Sequence, residues 1–197
     1  ASANRKTIPS SGFYYINFER INKPVDSYST DFTDAEDDFF NNGFVIAAPE
    51  DFSNYGLHTK HPYESPEETG DSIGYTAVLR TPFRFDPGGM LISYNEIVLV
   101  EAGEAGSVFG SQEFYDYVIV EGSVNYGKSW FPLTDGYDCR YQKAWENAYN
   151  SSITGNNSLF KGDESMLVRH TIFLKPSARI RAGDTLVIRF RLFSDPY

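Results

Sequence analysis

Apolar and polar residues alternate in steps of two along much of this chain, the period of a strand with one buried face. The clearest runs are residues 115–123 and 166–174. Residues 13–19, 43–47 and 74–79 read as shorter strands, and 81–85 continues the last of these. Residues 90–101 read as a long apolar strand, or as two strands joined by a bend. In the tail, Arg189 and Arg191 alternate with Ile188, Phe190 and Leu192, so a strand runs nearly to the last residue. Helical periodicity is confined to a short start at Thr33 or Asp34 and to one or two turns over 144–148. Many short strands joined by Gly-, Pro- and Asn-rich connections predict an all-β fold, an antiparallel two-sheet β-sandwich of jelly-roll type.

Residues 1–12 are polar and read as a flexible lead-in, and 13–197 as a single domain. Residues 135–163 form a long insert rich in Asn, Gly, Ser and Tyr, and 49–71 reads as a loop carrying His58 and His61. The final strand calls for a partner beyond it, so the domain reads as truncated at its C-terminal end.

Composition narrows the function. The net charge is −10, and the basic residues are scattered and outnumbered, unlike the clustered Lys and Arg of a phosphate-backbone binder. Nucleic acid is therefore not the expected partner. Acidity of this kind suits hard cations, which need oxygen ligands. One cysteine, Cys139, excludes an intrachain disulfide. No apolar run is long enough to span a membrane.

Four segments carry a resemblance. They are Phe18-Glu19, Leu79-Arg80-Thr81-Pro82, the run Val118 to Trp130, and Ile188-Arg189-Phe190-Arg191-Leu192-Phe193-Ser194-Asp195. Together they resemble the MAM/laminin-G-like jelly-roll modules of secreted and cell-surface proteins of Bacteroidetes-type bacteria, which also accompany immune-inhibitor-A-type metallopeptidases. In that family a Ser-x-Asp-Gly-Gly-x-x-Trp turn is the signature. Here Ser123-Val124-Asn125-Tyr126-Gly127-Lys128-Ser129-Trp130 stands in its place, with Tyr126 where a small residue is usual. The family continues past this tail into a further strand, which this chain does not include. The resemblance implies a non-catalytic accessory, adhesion or ligand-binding module of a larger exported bacterial protein. It implies neighbouring domains of that parent, a glycan or a surface protein as partners, and a secreted, periplasmic or cell-surface location. It further implies a structural Ca2+ and a core position for Trp130.

The candidate metal ligands are Glu19, Glu101 and Asp116, each at or near a predicted strand end. The run Asp34, Glu36, Asp37 and Asp38 lacks the spacing of an EF-hand loop and reads as solvated. His58 and His61 have Glu64, Glu67 and Glu68 close behind, yet Pro62 argues against a helix presenting the pair, and surface histidines are the plainer reading. No Gly-x-Ser-x-Gly is present, and Cys139 with His170 is an unconstrained pair. Tyr137, Tyr141, Trp145 and Tyr149 cluster in the insert, either as rings that anchor it against the sandwich or as candidate ligand-binding rings. Two other functions stay open. A carbohydrate-binding module predicts that these rings are exposed. A jelly-roll hydrolase or lyase predicts ionisable groups converging in a cleft.

Overall fold

The computed structural model describes residues 20–60, 63, 70–154 and 157–196. The predicted strand at 13–19, with Glu19, lies outside them, as does His61.

The described residues form twelve strands: β1 (Phe39–Asn42), β2 (Phe44–Ala47), β3 (Gly56–Thr59), β4 (Ile73–Leu79), β5 (Phe83–Arg84), β6 (Met90–Glu96), β7 (Tyr117–Ser123), β8 (Phe131–Pro132), β9 (Ile153–Thr154), β10 (Asn157–Ser158), β11 (Val168–Leu174) and β12 (Thr185–Ser194). One helix, α1 (Lys143–Asn150), interrupts them. The main sheet runs β1-β4-β12-β7-β8, with β5 on the first residues of β12, and every strand pairing is antiparallel. The tail strand is thus central. Over Arg189–Phe193 it is hydrogen-bonded to β4 on one side and β7 on the other.

Two strand pairs, β6–β11 and β2–β3, cover one face of this sheet. Inward residues of the sheet (Ala77, Leu79, Val120, Leu186, Ile188) meet Ile172 and Leu174 of β11 and Met90 and Ile92 of β6. Exposed Phe173 and Leu91 point the other way, as period two requires. The arrangement is sandwich-like and predominantly antiparallel.

The insert forms a second core at one end. Trp145, Tyr149, Tyr137 and Cys139 pack with Val98, Leu99, Val100, Tyr63 and Leu192. The Trp145 Nε1–H donates to the Met166 carbonyl at 2.9 Å, and the Ser158 hydroxyl to the Tyr149 carbonyl at 2.6 Å.

Several sequence expectations are corrected. The loop at 49–71 contains strand β3, whose four residues hold one strongly apolar side chain and so show no period. The acidic run before Phe39 leads through one 3-10 turn, Glu36–Asp38, into β1. Residues 97–101 leave the β6 strand and enter the second core without pairing. Trp130 belongs to neither core cluster. It lies on the sheet's outer side, with the Arg189 guanidinium 4.3 Å from its ring centre.

Candidate metal centre

The chain leaves β6 at Glu96, passes Glu101, makes an excursion over 103–114 and enters β7 just after Asp116. The base of this excursion is closed tightly. The Glu104 N–H donates to the Glu113 carbonyl at 2.9 Å, and a Cβ on Gly103 would come within 2.5 Å of that same oxygen. Only glycine fits there, and the closure brings Glu101 beside Asp116. The insert braces it: Asp138 accepts from the Gly103 N–H at 3.2 Å while paired with Arg140 at 2.6 Å.

Asp195 arrives from the end of β12. Because β12 and β7 are antiparallel partners, the residue after Ser194 meets the residue before Tyr117, and the Asp195 N–H donates to Asp116 Oδ1 at 3.0 Å. Glu101, Asp116 and Asp195 each offer a carboxylate oxygen, and these lie within 4.8 Å of one another. Two oxygens each about 2.4 Å from one Ca2+ lie at most roughly 5 Å apart, while the shorter bonds of Mg2+ require a tighter set.

Burial and neighbouring acids disfavour the charged forms of Glu101 and Asp116. Asp116 is 1% exposed. Burial drives its carboxyl up to about 6, against hydrogen bonds from Tyr63, the Asp195 backbone and Ser194 that favour the anion. Burial first, then repulsion from Asp116 and Asp195, pushes Glu101 up to about 7. Among the described residues, no basic side chain contributes to either shift. The Tyr63 hydroxyl donates to Asp116 Oδ2 and accepts from the Glu101 N–H, tying the two acids together.

A further group points to a ligand. Tyr149 is 4% exposed, and its hydroxyl has no hydrogen-bond partner among the described residues. It stands close enough to Glu101 and Asp116 for their charges to raise its pKa, after burial itself. A buried, unpartnered hydroxyl beside two carboxylates is an oxygen suited to a hard cation's shell, directly or through water. The donor set is all oxygen, which fits Ca2+ and argues against zinc.

Of the predicted trio, Glu101 and Asp116 are together, and Glu19 lies outside the described residues. Sequence reading missed Asp195, whose one signal was an acid immediately after a strand. Among the aromatic candidates, Trp145 is 0% exposed, and Tyr137 and Tyr149 are buried. Only Tyr141 keeps an exposed ring. The insert therefore offers no row of ring faces for a sugar, because its aromatics supply its own core.

Among the described residues, His58, His170 and Cys139 sit in three different settings. His58 sits on β3, half-buried, with its pKa lowered by that burial, and lines a cavity of about 330 Å³ with Phe44, Leu57, Val98 and Leu99. His170 Nδ1 lies 2.6 Å from Glu96 Oε1, and Tyr137 donates to the same carboxylate at 2.7 Å. The rings of Tyr94 and Tyr141 stack on the imidazole, each 5.3 Å away. Cys139 is fully buried, and burial followed by the Asp138 charge pushes its thiol up to about 12, which leaves it protonated and inert at neutral pH.

A pH prediction follows. Glu101 and Asp116 have folded pKa values above their ordinary ones, so their contribution is fully present below about pH 4 and lost as pH rises through about 6 to 7. Metal-stripped protein is expected to melt at a lower temperature at pH 7.5 than at pH 5.5. Added Ca2+ is expected to narrow that gap. Calorimetric melts at both pH values check it.

No known family matches this chain, and neither curated proteins nor solved structures show a significant match to it.

Proposed function

We propose that this chain is a non-catalytic accessory, adhesion or ligand-binding module of a larger exported protein, a jelly-roll-like sandwich pinned by a structural Ca2+ at Glu101, Asp116 and Asp195. The observation that carries the reading is the acidic trio, with Asp116 fully buried at its centre and the unpartnered Tyr149 hydroxyl within reach of the charges on Glu101 and Asp116. Bound there, the cation supplies positive charge beside Glu101, Asp116 and Asp195. The residues do the rest: Glu101 anchors the excursion, Asp116 the start of β7 and Asp195 the end of β12. Such an ion cross-links the two ends of the 103–114 excursion to Asp195 at the end of β12, 79 residues beyond Asp116, which suits a module exposed to millimolar extracellular calcium.

The non-catalytic part is supported by the state of the ionisable groups: the Cys139 thiol is buried and the Glu96–His170 pair is enclosed by tyrosine rings. The sandwich, the tail sequence and the Ser123–Trp130 turn favour a module of the MAM/laminin-G-like kind, with neighbouring domains of its parent as first partners. No helix among the described residues is long and apolar enough to cross a membrane.

Isothermal titration of metal-stripped protein tests the site. One Ca2+ is expected to bind with a Kd of about 0.1–1 mM, the range of extracellular modules. Asp116→Asn is expected to weaken binding at least tenfold, since a charged ligand is worth about 1.4 kcal/mol or more. Absence of heat with Ca2+, or equal affinity for Mg2+, contradicts the assignment.

A further inference from the structure

The face of the main sheet opposite the core carries a different charge pattern. Directly opposed residues on neighbouring strands share a face. The β12 register therefore sets Arg189 beside Val78 and Glu121, and Arg191 beside Thr76 and Ile119. The same rows continue to Phe40 and Asn42 on β1. Arg80, two residues beyond Val78, falls on this face too, with its guanidinium 4.2 Å from the Phe40 ring centre. Three guanidiniums and one carboxylate thus share a face in a chain of net charge −10.

Arg191 is engaged at all three nitrogens, its Nη1 donating to the Tyr117 hydroxyl at 3.4 Å, whereas Arg189 and Arg80 are held but not satisfied. Glu121, 5% exposed, accepts from Arg189 Nε at 2.7 Å and from Arg191 Nε at 2.9 Å and Nη2 at 3.3 Å. Trp130 lies under Arg189, and Tyr117 flanks Arg191 at 5.3 Å. After these contacts, the Arg189 Nη1 and Nη2 groups have no hydrogen-bond partner among the described residues. Arg80 makes no side-chain hydrogen bond there either, and its Nε is buried without one. A guanidinium fixed by stacking, with its paired N–H groups open, matches a planar carboxylate in bidentate geometry.

We propose that this face binds a carboxylate-bearing saccharide, a uronate, through Arg80 and Arg189. Two features favour a sugar over an acidic peptide. Both edges of β12 are occupied, so an extended peptide cannot add as a strand beside these arginines. The row through Arg191 also presents the Thr76 hydroxyl and the Asn42 amide, which exchange hydrogen bonds with sugar hydroxyls. Arg80 reaches over β1, two strands from Arg189, roughly 10 Å away, so one saccharide crossing the strands meets both. The inference rests on the binding-module reading but not on the cation.

Trp130 fluorescence is the readout, because Trp145 is enclosed in the second core and supplies a constant background. Trigalacturonate titrated into the calcium-loaded chain is expected to give a saturable change that weakens as salt is added. Arg189→Gln and Arg80→Gln are each expected to weaken it about tenfold, the loss of one charge-assisted contact. Arg189→Gln leaves Glu121 paired with Arg191, and Arg80→Gln breaks no ion pair, so both variants should fold, with circular dichroism as the check. Galactotriose is expected to give no change. Three results would overturn the proposal: no response to low-millimolar trigalacturonate, equally tight binding of hexaglutamate, or affinity unaltered in both variants. Chelating calcium is expected to leave the titration intact, so failure here is distinct from failure of the metal centre.

Discussion

Trp145→Ala is expected to cost about 3–5 kcal/mol of stability, the usual range for removing a large buried aromatic. The indole is 0% exposed and sits at the centre of the second core, against the segment that carries Val98, Leu99 and Val100. Its removal leaves a cavity and also strips the Met166 carbonyl of its donor at 2.9 Å. The effect should reach the acidic trio, because Tyr149, one helical turn away, and Glu101, directly after Val100, share this packing. Urea unfolding followed by far-UV circular dichroism measures the loss. Trp145→Phe is expected to recover much of the packing but not the hydrogen bond, and so to fall between wild type and alanine. A loss below about 1 kcal/mol, the level of a surface substitution, would mean that the insert does not share the sandwich's cooperative unfolding.

The second large effect is expected at Glu121→Ala. This carboxylate is shared by Arg189 and Arg191 across the β7–β12 pairing. Burial opposes its ionisation, yet hydrogen bonds from Arg191 and Arg189 outweigh burial and hold the carboxyl below its ordinary value. Deleting it leaves two guanidiniums against each other in the middle of the sheet. Breaking a fully buried pair costs about 3–5 kcal/mol. Both arginine side chains retain about a fifth of their exposure, so water screens part of the loss, and about 2–3 kcal/mol is expected. The pH dependence has a fixed sign. A depressed carboxyl stabilises the fold above its unfolded pKa, and that contribution disappears as pH falls through the folded value. The gap between wild type and variant should therefore be full at pH 7 and close in acid. Denaturant midpoints at pH 7 and pH 3 check this.

The sequence made some of this structure legible and hid the rest for physical reasons. Strand β7 was readable from its β-branched and aromatic run Tyr117–Val120, although Ile119–Ser123 is buried on both faces. Strand β11 was readable because one side faces the core and the other solvent, so the period of two survives in Val168–Leu174. The tail strand was readable for the same reason, but its central place was not: pairing on both edges is a long-range property. Strands β1 and β3 are four residues each, too short for a period to stand out, and Asp34 to Asp38 masks the first of them. Two members of the acidic trio were visible as acids at strand ends. Asp195 was not, because it meets Asp116 only through antiparallel registry across 79 residues of sequence separation. The aromatic insert was recognisable as a feature, but nothing local in Tyr137, Trp145 and Tyr149 distinguishes a ring turned outward from one that fills a core.

In the proposed module the trio holds a calcium ion that ties β7, β12 and the Glu101 segment together. The most direct test of this claim is a thermal melt of metal-stripped protein at pH 7.5, with and without millimolar Ca2+, run beside Asp116→Asn. Calcium at ten times its Kd is expected to add about 1.4 kcal/mol, which raises the Tm of a chain this size by roughly 3–5 °C. Magnesium should not reproduce the rise, and Asp116→Asn should lose it. An unchanged Tm in the wild-type chain, or an equal rise in Asp116→Asn, would contradict the claim.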